Sequence, residues 1–163
     1  MKIVLGLGTN IGTREQNLKD ALAAIALLPN TVLIKQSPVY ETKPYGYADQ
    51  SDFLNMAVEV ETDLPPESML GACLGIEAAL GRVRMFKNGP RIIDIDVLLA
   101  ENFCSDAPHL RVPHPEICNR SFVLQPLMDL FPNGEAYGYD FSVAYYAHPM
   151  LDIQPYNSAN FEF

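Results

Sequence analysis

Tryptophan is missing from this chain altogether, and neither lysine nor arginine occurs after Arg120. No apolar run comes near the ~20 residues of a bilayer-spanning helix, so a transmembrane segment is not expected. The opening Met1–Gly8 is too short for a signal peptide and reads as a first strand. Cysteine is scarce: Cys73, Cys104 and Cys118 are odd in number and form no C-x-x-C pair. That pattern argues against a disulfide scaffold and for reduced thiols in a cytoplasm. Cys73, on a helix, reads as a small core residue. Internal repeats are absent, which leaves out a repeat array. The glycine-flanked turn Gly8–Gly12 lacks a following GK[ST], which excludes a Walker loop.

What is present is apolar and acidic. The 163 residues are 48% hydrophobic and carry a formal net charge of −9. That length suits one domain over 1–163, burying about two-thirds of its unfolded surface. A net charge of this sign argues against a nucleic-acid or membrane partner. The cations are unevenly spread. All eleven lie at or before Arg120, and Arg82, Arg84, Lys87 and Arg91 crowd one short loop. A local basic loop in an acidic body suits a small anionic ligand better than a long polyanion.

That loop runs into Ile92–Leu99, an apolar run broken only by Asp94 and Asp96. Such a run is strand-like in length and β-branched content. Alternation along a strand puts both aspartates on one face, about 6.5–7 Å apart along the backbone. An Asp-x-Asp at a strand end is otherwise just a pair of solvated carboxylates. With a cluster of cations directly before it, the pair reads as a Mg²⁺ site that also takes phosphate oxygens, with guanidinium groups covering the remaining charge.

The rest of the chain arranges itself around this stretch. Lys2–Leu7 is an apolar strand, and Thr13 with Gln16 has the spacing of a capping box. The helix that follows runs to about Leu28 and buries Leu18, Ala21, Leu22 and Ile25. Thr31–Ser37 reads as a second strand. A loop rich in Pro, Gly and Tyr then extends to Asp52. Loops of this length inside a domain are usually functional or mobile. Thr42, Tyr45 and the backbone at Gly46 are its candidates to line a pocket, against a plain surface connection. Phe53–Glu61 is a third strand with Met56, Val58 and Val60 on one face, and Phe53 and Asn55 on the other. Asn is depleted in strands, so Asn55 asks for a reason. A second helix begins at Pro65-Pro66 and carries a buried stripe of Met69, Leu70, Cys73, Ile76 and Leu80. Glu77, one turn before Gly81, either faces the loop cations or is a solvated helix residue. Asn102–Leu110 reads as polar loop, and His114 is held between Pro113 and Pro115. Val123–Leu130 is a short helix, and the acidic, Tyr-rich stretch 131–163 shows no periodicity. The order strand–helix–strand–strand–helix–strand predicts an α+β, ferredoxin-like βαββαβ sandwich. Helices would cover one face of an antiparallel sheet, with ligand-binding loops on the other.

Six segments occur in an order that resembles a known family. They are Gly8-Thr-Asn10, Tyr40-Glu-Thr-Lys-Pro44, Asp52-Phe-Leu-Asn55, Gly81-Arg-Val-Arg84, Gly89-Pro-Arg-Ile-Ile-Asp-Ile-Asp96, and Val112-Pro-His-Pro115 through Asn119-Arg-Ser-Phe122. Together they resemble the 6-hydroxymethyl-7,8-dihydropterin pyrophosphokinases of folate biosynthesis, over residues 1 to about 130. The resemblance implies transfer of pyrophosphate from MgATP to the pterin hydroxymethyl oxygen, with release of AMP. It implies two Mg²⁺ ions on Asp94 and Asp96, and Arg82, Arg84 and Arg91 against the triphosphate. His114 and Arg120 would contact nucleotide, with Glu77 on the same side. Phe53 and Phe122 would sandwich the pterin, Asn55 and Thr42 would read its edge, and Pro44 and Tyr45 would complete its wall. Arg82, Arg91, Asp94 and Asp96 are then the catalytic set. ATP and the pterin are the expected partners, and the chain is expected to act as a monomer. A silent pterin- or nucleotide-binding module on the same scaffold is the alternative.

The chain departs from that pattern in places. Many members carry Trp in the basic loop, where Asn88 precedes Gly89 here, so a lid that closes less tightly over nucleotide is expected. Lys43 precedes Pro44 and Pro115 follows His114, each unlike the usual residue, and the acidic tail matches no motif.

Overall fold

A computed structural model describes residues 1–83 and 85–157; the expectation for Arg84 falls outside them. Strand β1 (Lys2–Thr9) leads through helix α1 (Arg14–Ala26) to strands β2 (Thr31–Gln36) and β3 (Tyr40–Thr42). The chain returns along β4 (Phe53–Thr62), crosses by α2 (Pro66–Ala79), and closes on β5 (Asp94–Ala100). β1 lies between β4 and β5, while β2 and β3 pair one after the other with the far side of β4, all antiparallel. β2 and β3 are thus one strand interrupted at Ser37–Val39, where Pro38 lacks an N–H for the ladder. This is the predicted ferredoxin-like arrangement.

The two faces follow from strand alternation. Ile3, Leu5 and Leu7 of β1, Leu54, Met56, Val58 and Val60 of β4, and Ile95 and Val97 of β5 all point toward the helices. There they bury Leu18, Ala21, Leu22 and Ile25 of α1 and Met69, Cys73 and Ile76 of α2. Burial pushes the Cys73 thiol up to about 12, as suits an inert core residue. The capping box does not form. Thr13 makes no capping hydrogen bond, and Gln16 donates instead to Asp20 at 2.8 Å. Asn17 ties down the turn by donating to Thr9 Oγ1 and to the Ile11 carbonyl.

Beyond β5 the chain is more ordered than its pattern suggested. The stretch read as polar loop is a hairpin of β6 (Ser105–Ala107) and β7 (Leu110–Val112). Helix α3 (Ser121–Leu130) starts two residues earlier than expected and lies across the second sheet face. Its Val123, Leu124, Leu127 and Leu130 form a second core with Val4, Ala57, Leu98 and Leu99. The unassigned tail joins that core. A hairpin of β8 (Glu135–Ala136) and β9 (Tyr139–Asp140) turns at Tyr137-Gly138, both with positive φ, as tight hairpins of this kind require. Phe141 is fully buried, and the Tyr137 hydroxyl donates to buried Glu59. Helix α4 (Ser142–Ala147) then leads to β10 (Ile153–Pro155), which adds a sixth strand outside β3. The second face therefore carries α3 and the tail over one part, and stays open over the rest.

Candidate active site

The open part is shaped by two glycines. In register, Gly8 of β1 lies opposite Asn55 on one side and Asp94 on the other; Gly6 lies opposite Ala57 and Asp96. Neither glycine brings a side chain, so β1 becomes the floor of a trough between β4 and β5. At a strand spacing of about 4.8 Å, the walls stand roughly 9–10 Å apart, enough for a flat ring and its neighbour. A Cβ on Gly8 would stand 2.8 Å from Asn55 Oδ1, so the Asn55 amide would have to shift.

The β4 side of the trough is aromatic with a few fixed polar groups. Phe53, Phe122, Tyr45, Thr42 and Asn55 line one cleft over Gly6, Leu7 and Gly8. Asn55 and Thr42 are both buried, and Asn55 Nδ2 donates to Thr42 Oγ1 at 2.6 Å. That bond orients the amide and leaves its oxygen turned toward Gly8. Tyr45 meets Phe122 edge to face at 6.5 Å, and the Arg120 guanidinium stands over both rings at 5.4 and 5.6 Å.

A second, polar cleft opens beyond β5. Arg82, Phe86, Lys87, Arg91, His114 and Arg120 line it. Asn88, Arg91, Asp94, Asp96 and Arg120 border both clefts. Asp94 and Asp96 do share one face. Asp94 accepts from Arg82 Nη1 at 2.5 Å and from Arg91 Nη1 at 2.6 Å. Burial, and then the charge of Asp94 beside it, push the Asp96 carboxyl up to about 7. Burial also works against the Arg82 charge, but Asp94 and Glu77 outweigh it and raise the guanidinium above its usual range. Burial, and then the Arg120 cation, hold the His114 imidazole below its ordinary value, so the ring is neutral at pH 7. A cationic donor is also left over here. Arg120 Nε is buried without a hydrogen-bond partner among the described residues, its nearest acid being Glu116 at 3.7 Å.

An apolar cleft for a flat ring thus abuts a cationic cleft for an anion, with two carboxylates at the join. The family model of 7,8-dihydro-6-hydroxymethylpterin-pyrophosphokinase matches residues 4–132. The chain belongs to this family. It is 45% identical over 129 residues to the 2-amino-4-hydroxy-6-hydroxymethyldihydropteridine pyrophosphokinase of Methylorubrum extorquens, covering 79% of this chain and 82% of that protein. To the Bacillus subtilis protein of the same name it is 44% identical over 126 residues, covering 77% and 75%. Among solved structures, a Plasmodium falciparum HPPK-DHPS with pterin and p-hydroxybenzoate superposes with a TM-score of 0.66 at 18% identity. That match covers 89% of this chain and 42% of the other, so the chain spans less than half of it, and the likeness speaks for the fold. No helix among the described residues is long and apolar enough to cross a membrane.

Within this pyrophosphokinase frame most of the expected residues converge. Thr42, Tyr45, Phe53, Asn55 and Phe122 share the apolar cleft; Arg82, Arg91 and His114 share the polar one with Asp94 and Asp96. Three differ from expectation. Pro44 is absent from the cleft lining, where its neighbours Lys43 and Tyr45 stand instead. Glu77 does face a loop cation, as one of its two readings had it, but from behind and not at the cleft surface. It is buried behind Arg82, which it holds at 2.6 Å, and its Oε1 accepts from the Ile95 N–H at 2.7 Å. Burial raises its pKa, while the Ile95 N–H and Arg82 pull it back. Arg120 belongs to both clefts rather than to the nucleotide side alone.

The pattern also missed a hub beside the join. Asn10 accepts from the Arg91 N–H, and its amide donates to Gln50 and to the Ser51 carbonyl. Gln50 donates onward to the Asn88 carbonyl, and Tyr47 meets Phe86 edge to face at 5.0 Å. The loop after β3 and the basic loop before β5 are thus joined without tryptophan. Asn10 was visible in its Gly-Thr-Asn turn, but nothing local marked Gln50 or Phe86.

Proposed function

We propose that this chain transfers a pyrophosphoryl group from MgATP to the hydroxymethyl oxygen of 6-hydroxymethyl-7,8-dihydropterin, releasing AMP, as a cytoplasmic monomer. One observation carries the reading: the aromatic cleft and the cationic cleft meet at Asp94, Asp96, Arg91 and Arg120. A flat heteroaromatic between Phe53 and Phe122 would gain about 1–3 kcal/mol from stacking, judging by nucleic-acid bases. Asn55, held by Thr42, would pair with the ring edge and reject rings lacking the matching groups.

The triphosphate fits the other side. Arg82, Arg91 and Arg120 supply fixed positive charge, and neutral His114 offers a ring nitrogen without adding repulsion. We assign Arg84 to the same role from the family resemblance. Asp94 and Asp96 are hard oxygen donors on one strand face, a set that suits Mg²⁺ sharing its shell with phosphate and water. We assign two such ions; when bound they would neutralise charge developing on the transferring phosphates. Among the described residues no three or more His, Cys, Asp and Glu converge on one point, so phosphate oxygens would supply part of the shell.

The reaction is an in-line displacement. The hydroxymethyl oxygen bonds to the β-phosphorus as the bond from that phosphorus to the α,β-bridging oxygen breaks. AMP leaves with the bridging oxygen, and the hydroxyl proton passes to water or to Asp96. Chemistry of this kind depends mainly on positioning and charge stabilisation. Arg91, over the Phe53 ring at 5.7 Å and bonded to Asp94, touches both clefts and would hold the transferring group between them.

Incubating the protein with Mg²⁺, ATP and hydroxymethyl-dihydropterin, then separating nucleotides, tests the proposal. AMP formed in step with pterin diphosphate supports it. ADP would mean transfer of a single phosphate, and no turnover would favour a silent binding module.

A further inference from the structure

The family match ends at residue 132, yet the chain beyond it reaches the outer edge of the apolar cleft. β10 pairs with β3 in the register Ile153↔Thr42, Gln154↔Glu41 and Pro155↔Tyr40. The pairing runs past both ends of the strand: the Lys43 N–H donates to the Asp152 carbonyl at 3.0 Å, and the Tyr156 N–H to the Val39 carbonyl at 2.9 Å. β3 is three residues long and carries Thr42, the partner of Asn55. Without β10 it would be a short edge strand, bonded on one side alone.

Tyr156 adds a second hold. Its ring lies under the Arg14 guanidinium at 5.8 Å, and its hydroxyl donates to Glu15 Oε1 at 2.7 Å. Arg14 in turn bridges β3 and the far end of the loop that follows it. Its Nη1 pairs with Glu41 at 2.7 Å and donates to the Asp52 carbonyl at 2.9 Å. Asp52 also pairs with Lys43, at 2.8 Å. Tyr156 thus seats the cation that closes the loop between Thr42 and Phe53.

We propose that the strand Ile153–Pro155 and Tyr156 are positioning elements for pterin recognition, bracing Thr42 from outside and seating Arg14 across the loop mouth. This rests on reading the Phe53–Phe122 cleft as the pterin site. β3 and β5 lie on opposite sides of β4 and β1. A loosened β3 therefore acts on the aromatic wall and leaves the Arg82–Asp94 side in place.

Steady-state kinetics and pterin fluorescence titration of the full chain test this. Tyr156→Leu keeps the apolar packing but removes the ring over which Arg14 sits, and the hydroxyl. With only part of the lost ring contact and hydrogen bond passed on to the cleft, about a three- to tenfold rise in pterin KM is expected. ATP KM and kcat stay unchanged, and Tyr156→Phe, which keeps the ring, recovers most of the pterin affinity. Arg14→Gln removes the other side of the same contact and gives the same selective rise, so the test survives if Tyr156→Leu folds poorly. Thr42→Ala calibrates the cleft. Should Thr42→Ala raise pterin KM while Tyr156→Leu and Arg14→Gln do not, the positioning role is overturned and the cleft assignment stands. Equal losses in ATP KM and pterin KM would reduce the tail to general stability and overturn the role as well. No effect of Thr42→Ala would overturn the cleft assignment, and the positioning role with it.

Discussion

Replacing Asp94 by asparagine separates the ion pairs of this carboxylate from the metal role proposed for it. In the resting chain Oδ1 accepts from Arg82 and Oδ2 from Arg91, at 2.5 and 2.6 Å. An amide of the same shape has one oxygen, so one guanidinium must face an NH₂ group. Arg82 keeps Glu77 at 2.6 Å, and the loss therefore falls on Arg91. Hydrogen bonds to charged groups contribute about 1.5–3 kcal/mol. The Asp94 and Arg91 side chains are 21% and 20% exposed, so solvent reduces the cost to about 1–2 kcal/mol. For a chain of this size that is a fall in Tm of about 2–8 °C. Turnover responds on another scale, because the amide brings no charge to a divalent cation. Loss of one group that stabilises developing charge typically costs about 10²–10³ in kcat, and a metal carboxylate belongs at or beyond the upper end. The assay is AMP release across a Mg²⁺ titration, with calorimetry on the same preparation. A variant whose kcat stays within about tenfold of native, equivalent to about 1.4 kcal/mol, at the same half-saturating Mg²⁺, would refute the metal assignment.

Asp96 predicts a pH signature. Its folded-state pKa of about 7 lies above the ordinary 3.8, so it stabilises the metal-free fold fully below pH 3.8 and loses that contribution as pH rises through about 7. The Tm of the metal-free protein minus that of Asp96→Asn should therefore fall between pH 4 and 7 (about the window set by the two pKa values); a flat difference would exclude the shift. Phe122→Ala should weaken pterin binding by about 1–3 kcal/mol of lost stacking, read by fluorescence titration, and an unchanged affinity would remove Phe122 from the pocket.

Local pattern carried the shared face of Asp94 and Asp96, because pleat alternation needs only one strand. It also carried the helix-facing core, since Leu18, Leu22, Met69 and Cys73 recur at helical spacing. It did not carry the trough. Gly6 and Gly8 matter because β1 pairs with β4 and β5 at once, and a three-strand register is not written in any single segment. Glu77 was ambiguous for a similar reason: its burial comes from the approach of α2 to the Ile95 N–H, across a separation of 18 residues. The tail was illegible because its elements are two to six residues long, too short to show a period. Phe141 is buried by the second core, not by any pattern around it. Between β6 and β7 the same shortness hid a hairpin.

The resting ion pairs bear on how ATP and Mg²⁺ bind. Glu77, Arg82, Asp94 and Arg91 form one chain of contacts at 2.6, 2.5 and 2.6 Å. On the assignment proposed above, a triphosphate arriving without metal would draw Arg82 and Arg91 toward itself and leave Asp94 facing its negative charge. On the metal role proposed for Asp94, a cation arriving without nucleotide would take that carboxylate and leave two guanidiniums facing a positive ion. Each ligand alone strands a partner that is mostly shielded from water, and stranding a charge of that kind is expensive. Arriving together, they would exchange partners: cation to carboxylates, phosphates to guanidiniums. On the proposed assignment the two ligands should be positively coupled, and typical coupling energies of about 1–3 kcal/mol correspond to roughly 5–150-fold in affinity. Calorimetric titration of ATP with and without Mg²⁺ measures that factor, and Asp94→Asn should shrink it by removing the group both exchanges share. Equal ATP affinity with and without the metal in the native chain would show that Asp94 does not stand between them.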